Sequence, residues 1–136
     1  MTKLLQKGKD GTLSRKTRKV ATKKPPLLFS ETQTVIKEIQ ARLDGDFLVY
    51  WVSDMGSMVS DDVIAFNKAI QKNVSGKRLY LFIKSCGGSG QSSLRIISLL
   101  RSVYQEIIAL VPLDCASAAT MLALGANEIH MGPLAY

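Results

Sequence analysis

The spacing of apolar residues changes several times between Leu27 and Met131, and each change marks a predicted element. Val35, Ile36, Ile39 and Leu43 recur at helical spacing behind Ser30-Glu31-Thr32-Gln33. That tetrad reads as a capping box, with the serine accepting from a free backbone amide while Gln33 reaches back, so a helix is predicted over about 31–43. Asp44-Gly45-Asp46 ends it, and Phe47 to Val52 form an unbroken β-rich run of the kind found in strands buried on both faces. Ser60 is placed to cap a second helix, with Asp61 and Asp62 in the first turn against the dipole and Val63, Phe66 and Ile70 on one face. A strand from Arg78 to Lys84 follows, then a glycine cluster at 87–90 and a helix carrying Leu94, Ile97, Leu100 and Tyr104. Ile107 to Val111 read as a third strand, about 117–124 as a short helix stopped by Gly125, and Asn127 to Met131 as a fourth strand closed by Gly132-Pro133.

Strands alternating with helices of this length imply consecutive βαβ units and a mostly parallel sheet, an α/β fold with no internal repeat. Parallel sheets place their sites at the carboxyl ends of the strands. Two loops leave such ends, Ser85 to Gln91 and Pro112 to Thr120, and chemistry is expected there.

Composition fits one domain, since 136 residues that are 46% hydrophobic can bury one modest core. The net charge of +7 changes meaning once it is mapped. Nine of the 18 Lys and Arg fall in residues 1–26 with Asp10 as the sole acid there, which leaves nine basic against ten acidic residues in the remainder. The predicted division is therefore a disordered basic tail over 1–26 and a near-neutral α/β domain over 27–136. No aromatic residue interleaves the basic ones, so no specific nucleic-acid function is expected of the tail. Pro25 to Phe29 give too short an apolar segment for a secretory signal, and Gly, Asp, Lys or Arg interrupts every candidate membrane span. Cys86 and Cys115 have neither metal-ligand spacing nor disulfide density, which suits a reducing compartment, and a cytoplasmic location is expected.

One βαβ unit separates the two loops, the spacing that sets the ends of neighbouring strands side by side. Ser117 stands where the chain turns into a helix among Ala116, Ala118 and Ala119, with an accessible hydroxyl and unpaired amides nearby. Acyl transfer needs such a place, because its tetrahedral intermediate carries negative charge that preorganised backbone N–H groups can hold. The glycines permit close backbone approach. A serine at a helix start is also commonly only an N-cap, and Gly-Gly-Ser-Gly after a strand commonly only a turn. The glycines are not a phosphate-binding P-loop, because the Gly-Lys-Ser/Thr ending is missing, and the spacing also fails the dinucleotide-binding fingerprint.

Lys84-Ser85-Cys86-Gly87-Gly88-Ser89-Gly90 followed by Leu113-Asp114-Cys115-Ala116-Ser117-Ala118-Ala119-Thr120 and Gly125-Ala126-Asn127-Glu128-Ile129 resembles the Clp-protease/crotonase superfamily of serine peptidases. Within it the chain is most similar to the serine dehydrogenase proteinase and signal peptide peptidase A branch, which shares a Ser-Pro-Gly-Gly turn and an Ala-Ser-Ala helix start. Similarity runs from about residue 45 to the end, and Val52 to Gly56 resembles the turn after that family's first strand. The resemblance implies a crotonase fold and peptide hydrolysis through a seryl acyl-enzyme. It assigns Ser117 as nucleophile and Gly87 and the amide of Ala118 as oxyanion-hole donors, with Gly88 beside them. It implies neither metal nor cofactor, a peptide substrate bound as an extended strand, and a homo-oligomer.

Two departures qualify it. Cys86 stands where the family usually has proline, removing a fixed φ ahead of the glycines. The family's base, lysine or histidine, commonly lies downstream of the nucleophile, and the expectation is that the chain stops at Tyr136 before reaching it, incomplete at its C-terminus. Of the residues present, His130 reads as a partly buried strand position, Lys84 as a solvated strand end, Asp114 as a helix cap and Cys115 as a small buried residue. Two other readings stay open. One is a non-catalytic or truncated scaffold of the same fold. The other is an acyl-CoA hydratase or isomerase of the crotonase type, in which glycine would be favoured at the position of Ser117.

Overall fold

The computed structural model describes residues 28–71 and 76–136; the basic tail over 1–26 lies outside them. Four strands, β1 (Asp46–Trp51), β2 (Arg78–Lys84), β3 (Glu106–Val111) and β4 (Glu128–Met131), form one sheet in the order β1-β2-β3-β4. Every pair is parallel, and Val49, Phe82, Leu110 and His130 lie in one row across the sheet. The helices α1 (Phe29–Gln40), α2 (Ser60–Ile70), α3 (Gly90–Arg101) and α4 (Ala118–Leu124) alternate with the strands in sequence. The α/β architecture expected from the apolar periods is the one observed.

Strand alternation divides the sheet into unequal faces. Leu79, Leu81, Ile83, Ile107, Ala109 and Val111 point into a core completed by Val63, Phe66 and Ile70 of α2, Ile96, Ile97 and Leu100 of α3, and Ala119 and Leu122 of α4. Close backbone approach tightens this layer, since a Cβ on Gly125 would come within 2.2 Å of Ile97. Tyr104 lies beyond the carboxyl end of α3 rather than on it, yet is buried in the same core.

The opposite face carries an aromatic group in which Trp51 stacks on Phe82, with ring centroids 6.1 Å apart, and Phe82 meets Phe47 edge-on. Val49 and Trp51 are exposed there. A β1 buried on both faces is therefore corrected, because the only described helix on this side is α1 and it covers little of the sheet. A groove of about 310 Å³ runs between Ile39 of α1 and Phe47, Phe82, Leu110 and His130.

Helix starts differ from the sequence reading for local reasons. α1 begins at Phe29 behind Leu28, which has φ 60°, so Ser30 is already inside the helix and bonds the Glu31 carboxylate instead of forming the expected capping box. α1 buries no residue: Val35 is exposed, and Ile39 stays partly exposed along that groove. At α2 the capping acceptor is Asp62, not Ser60: its carboxylate takes the Val59 N–H at 2.8 Å and the Tyr50 hydroxyl at 3.0 Å. Burial and that negative partner together push the Tyr50 phenol upward.

Candidate active site

The carboxyl ends of β1, β2 and β3 converge through loop segments that continue the sheet's pairing. Beyond β2 and β3, Ser85 and Cys115 form a parallel bridge, with the Ser85 N–H donating to Asp114 and the Ala116 N–H donating to Ser85. Beyond β1, Met58 bridges Gly88: its N–H donates to the Gly87 carbonyl at 2.8 Å and its own carbonyl accepts from Ser89 at 2.9 Å. Ser89 then caps α3 by accepting from the Ser92 N–H. The glycine turn is thus held from both sides.

Gly87 (φ 105°) and Gly88 (φ 139°) occupy backbone conformations that other residues adopt only under strain. A Cβ on Gly87 would stand 2.7 Å from the Ser117 Cβ and 3.0 Å from the Ala118 nitrogen. A Cβ on Gly88 would stand 2.4 Å from the Met58 nitrogen. The structure therefore brings Gly87, Ser117 and Ala118, named separately from sequence, into direct contact across two strands.

Ser117 itself has φ 52° and ψ −121° and immediately precedes α4. With Leu28 it is one of two described non-glycine residues at positive φ. Its hydroxyl caps nothing, since no side-chain hydrogen bond closes the start of α4. The Ala118 N–H belongs to the first turn of that helix and has no hydrogen-bond acceptor among the described residues, and neither has the Gly88 N–H. The Gly87 N–H donates to Ser85 Oγ at 3.1 Å, a bond the sequence reading did not anticipate.

Three other expectations are corrected. Lys84 is buried, 6% exposed, rather than solvated. Its ammonium forms ion pairs with Asp54 and with Asp114, the latter at 3.3 Å, and stands 5.9 Å from the Trp51 ring centroid. The Asp54 bond leads the effects that hold the Lys84 pKa above its ordinary value, so it stays charged and is a poor proton acceptor. Asp114 does not cap α4, because its carboxylate is turned to Lys84 and Tyr136. His130 is exposed and lies 3.0 Å from Glu128, and it lines the groove on the sheet face opposite α4. A four-residue edge strand with no described layer over it cannot bury the ring.

Asp54, Cys86 and Asp114 each bring one potential ligand atom within 4.8 Å of the others. The Lys84 ammonium pairs with both carboxylates and so supplies the positive charge there. Cys86 is exposed and Cys115 buried, and desolvation pushes the Cys115 thiol up to about 11. A thiol-disulfide reagent at pH 8 should accordingly modify Cys86 in the folded protein and reach Cys115 only after unfolding. Equal rates at both cysteines in peptide mapping would contradict this burial. A larger groove of about 490 Å³, between Val63 and Asn67 of α2 and Leu94 and Arg95 of α3, is lined by none of Gly87, Gly88, Ser117 and Ala118.

A parallel βαβ sheet whose second and third strands end in a glycine turn and a serine at positive φ defines an α/β protein with a Clp-protease-like fold. A model of the Clp protease family matches residues 30–132, and the chain belongs to that family. No curated protein matches it. Membership implies a peptidase-type function and peptide substrates in general terms. Among the described residues no helix is long and apolar enough to cross a membrane.

Proposed function

We propose that this protein is a serine endopeptidase in which Ser117 attacks the scissile carbonyl and forms a seryl acyl-enzyme. One observation carries the reading: Ser117 is held at φ 52° on the turn into α4, with its Cβ against Gly87 and the unpaired Ala118 amide next to it. Such a turn lifts a nucleophile clear of its helix. In the proposed step the Ser117 Oγ–carbon bond forms, the carbonyl electron pair moves onto oxygen, and that oxyanion is met by the Ala118 N–H and a glycine-turn N–H. Gly88 has its amide unengaged, and Gly87 would offer its own by giving up Ser85 Oγ. Collapse of the intermediate breaks the carbon–nitrogen bond as the amine takes up the proton removed from Ser117, and water then adds to the ester carbonyl, releasing the acid and returning a proton to Ser117 Oγ.

The proton on Ser117 needs an acceptor. Resemblance assigns that role to a lysine or histidine downstream of the nucleophile, and the surroundings of Lys84 and His130 favour neither for it. The extended substrate would pair with the exposed backbone beside the glycine turn. Family resemblance supports a homo-oligomer. The cytoplasmic location and the kinship with the serine dehydrogenase proteinase and signal peptide peptidase A branch rest on the sequence alone.

A fluorophosphonate probe tests the nucleophile. The expected result is a stoichiometric adduct mapped to Ser117 and absent from Ser117→Ala. Labelling is followed with and without added imidazole, a soluble base, so that nucleophile and oxyanion hole are tested apart from the proton acceptor. No adduct under either condition in folded protein would overturn the hydrolase reading in favour of an acyl-CoA enzyme or a scaffold.

A further inference from the structure

Lys84 is the last residue of β2, and each of its two carboxylate partners comes from the loop beyond a flanking strand, Asp54 after β1 and Asp114 after β3. The three segments so joined are those that carry the site. Lys84 precedes Gly87 by three residues, Asp114 precedes Ser117 by three, and Asp54 precedes Met58, whose backbone pairs with Gly87 and Ser89, by four.

We infer that Lys84 is a positioning residue: its ammonium draws the loops after β1 and β3 onto the end of β2 and thereby fixes Ser117 against the glycine turn. The role in activity rests on the hydrolase reading above, whereas the clamp itself does not. The electrostatics favour a clamp over an incidental surface pair. Lys84 is shielded from water and Asp114 largely so, which leaves that pair less screened than a surface pair, whereas Asp54 meets the ammonium from the open side. With the ammonium removed, the Asp54 and Asp114 carboxylates would face each other within 4.8 Å with no counter-charge between them. Repulsion would then push apart the two segments whose register aligns Met58, Gly87 and Ser117. Arginine keeps the charge and a comparable reach, so it should preserve much of the arrangement.

Four proteins test this: the unmodified chain, Lys84→Met, Lys84→Arg and Lys84→Met/Asp54→Asn. The Met58 and Ala116 amides, which bridge the three segments, should exchange at least about tenfold faster in Lys84→Met and close to the original rate in Lys84→Arg. The double variant should recover part of the protection because it removes the repulsion, and it also serves if Lys84→Met alone fails to fold. Fluorophosphonate labelling of Ser117 should fall about 10²-fold in Lys84→Met and be largely restored in Lys84→Arg, because a displacement of about 1 Å is enough for such a loss. If the unmodified chain does not label, the hydrolase reading fails and amide exchange alone decides the clamp. Unchanged Met58 and Ala116 exchange in Lys84→Met overturns the clamp. Faster exchange with unchanged labelling overturns its role in positioning Ser117.

Discussion

Alanine at Gly87 is expected to slow acylation of Ser117 by about 10²-fold or more, a loss comparable to removing an oxyanion-hole donor. Two independent constraints act at this position. The φ of 105° admits a side chain only with strain, which costs of the order of 1–3 kcal/mol. The added methyl would also meet the Ala116 carbonyl and the Ser117 Cβ, each at 2.7 Å, and neither is the free end of a flexible side chain. Either the glycine turn or the start of α4 must move, and both movements separate the proposed donors from the proposed nucleophile. Gly90→Ala is the matched control, since its methyl would meet only the Met121 side chain, at 3.3 Å and beyond. Labelling rates and urea midpoints should show Gly87→Ala slow and moderately destabilised, with Gly90→Ala near the parent. Equal labelling of the two would mean that contact between Gly87 and Ser117 has no part in acylation.

What could be read from sequence follows what was local. β2 was legible because Leu79, Leu81 and Ile83 sit in an apolar run bounded by Arg78 and Lys84, and α3 because Ile97 and Leu100 recur at helical spacing after a glycine cluster. The candidate site was legible for a related reason, since the topology of a βαβ unit is enough to set the Gly87 loop beside the Ser117 loop. The open sheet face was not. Phe47 to Trp51 have the composition of a doubly buried strand, and only the placement of helices in space shows that α1 leaves Val49 and Trp51 uncovered. The start of α1 escaped because Leu28 at φ 60° defeats a reading based on Ser30.

The ion cluster escaped for another reason. A lysine closing an apolar strand is ordinarily solvated, and its two partners lie 30 residues away on each side in sequence, at Asp54 and Asp114. The usable signal was joint: a lysine at the end of one strand and an aspartate in the loop after each neighbouring strand. Ser85, whose hydroxyl takes the Gly87 amide, carried no comparable signal, because its role depends on the direction its side chain takes at the strand end.

Glycine at position 117 should abolish acylation and yet make the protein more stable than alanine there. Ser117 combines φ 52° with ψ −121°, a region natural to glycine and strained for any residue with a Cβ. Ser117→Ala removes the hydroxyl and keeps the strain, so its stability should stay near the parent's. Ser117→Gly removes both. Relief of about 1–3 kcal/mol of strain exceeds the roughly 0.5–1 kcal/mol by which glycine favours the unfolded chain, leaving a net gain on the order of 1 kcal/mol. In a domain of this size such a gain raises the thermal midpoint by roughly 3–6 °C. Both variants should be inert to the fluorophosphonate probe, so stability and labelling part company only in Ser117→Gly. That separation is what a nucleophile held in place at a cost to the fold predicts. A Ser117→Gly protein no more stable than Ser117→Ala would show that the turn accommodates a side chain without strain, and the geometric argument for Ser117 as nucleophile would lose its foundation.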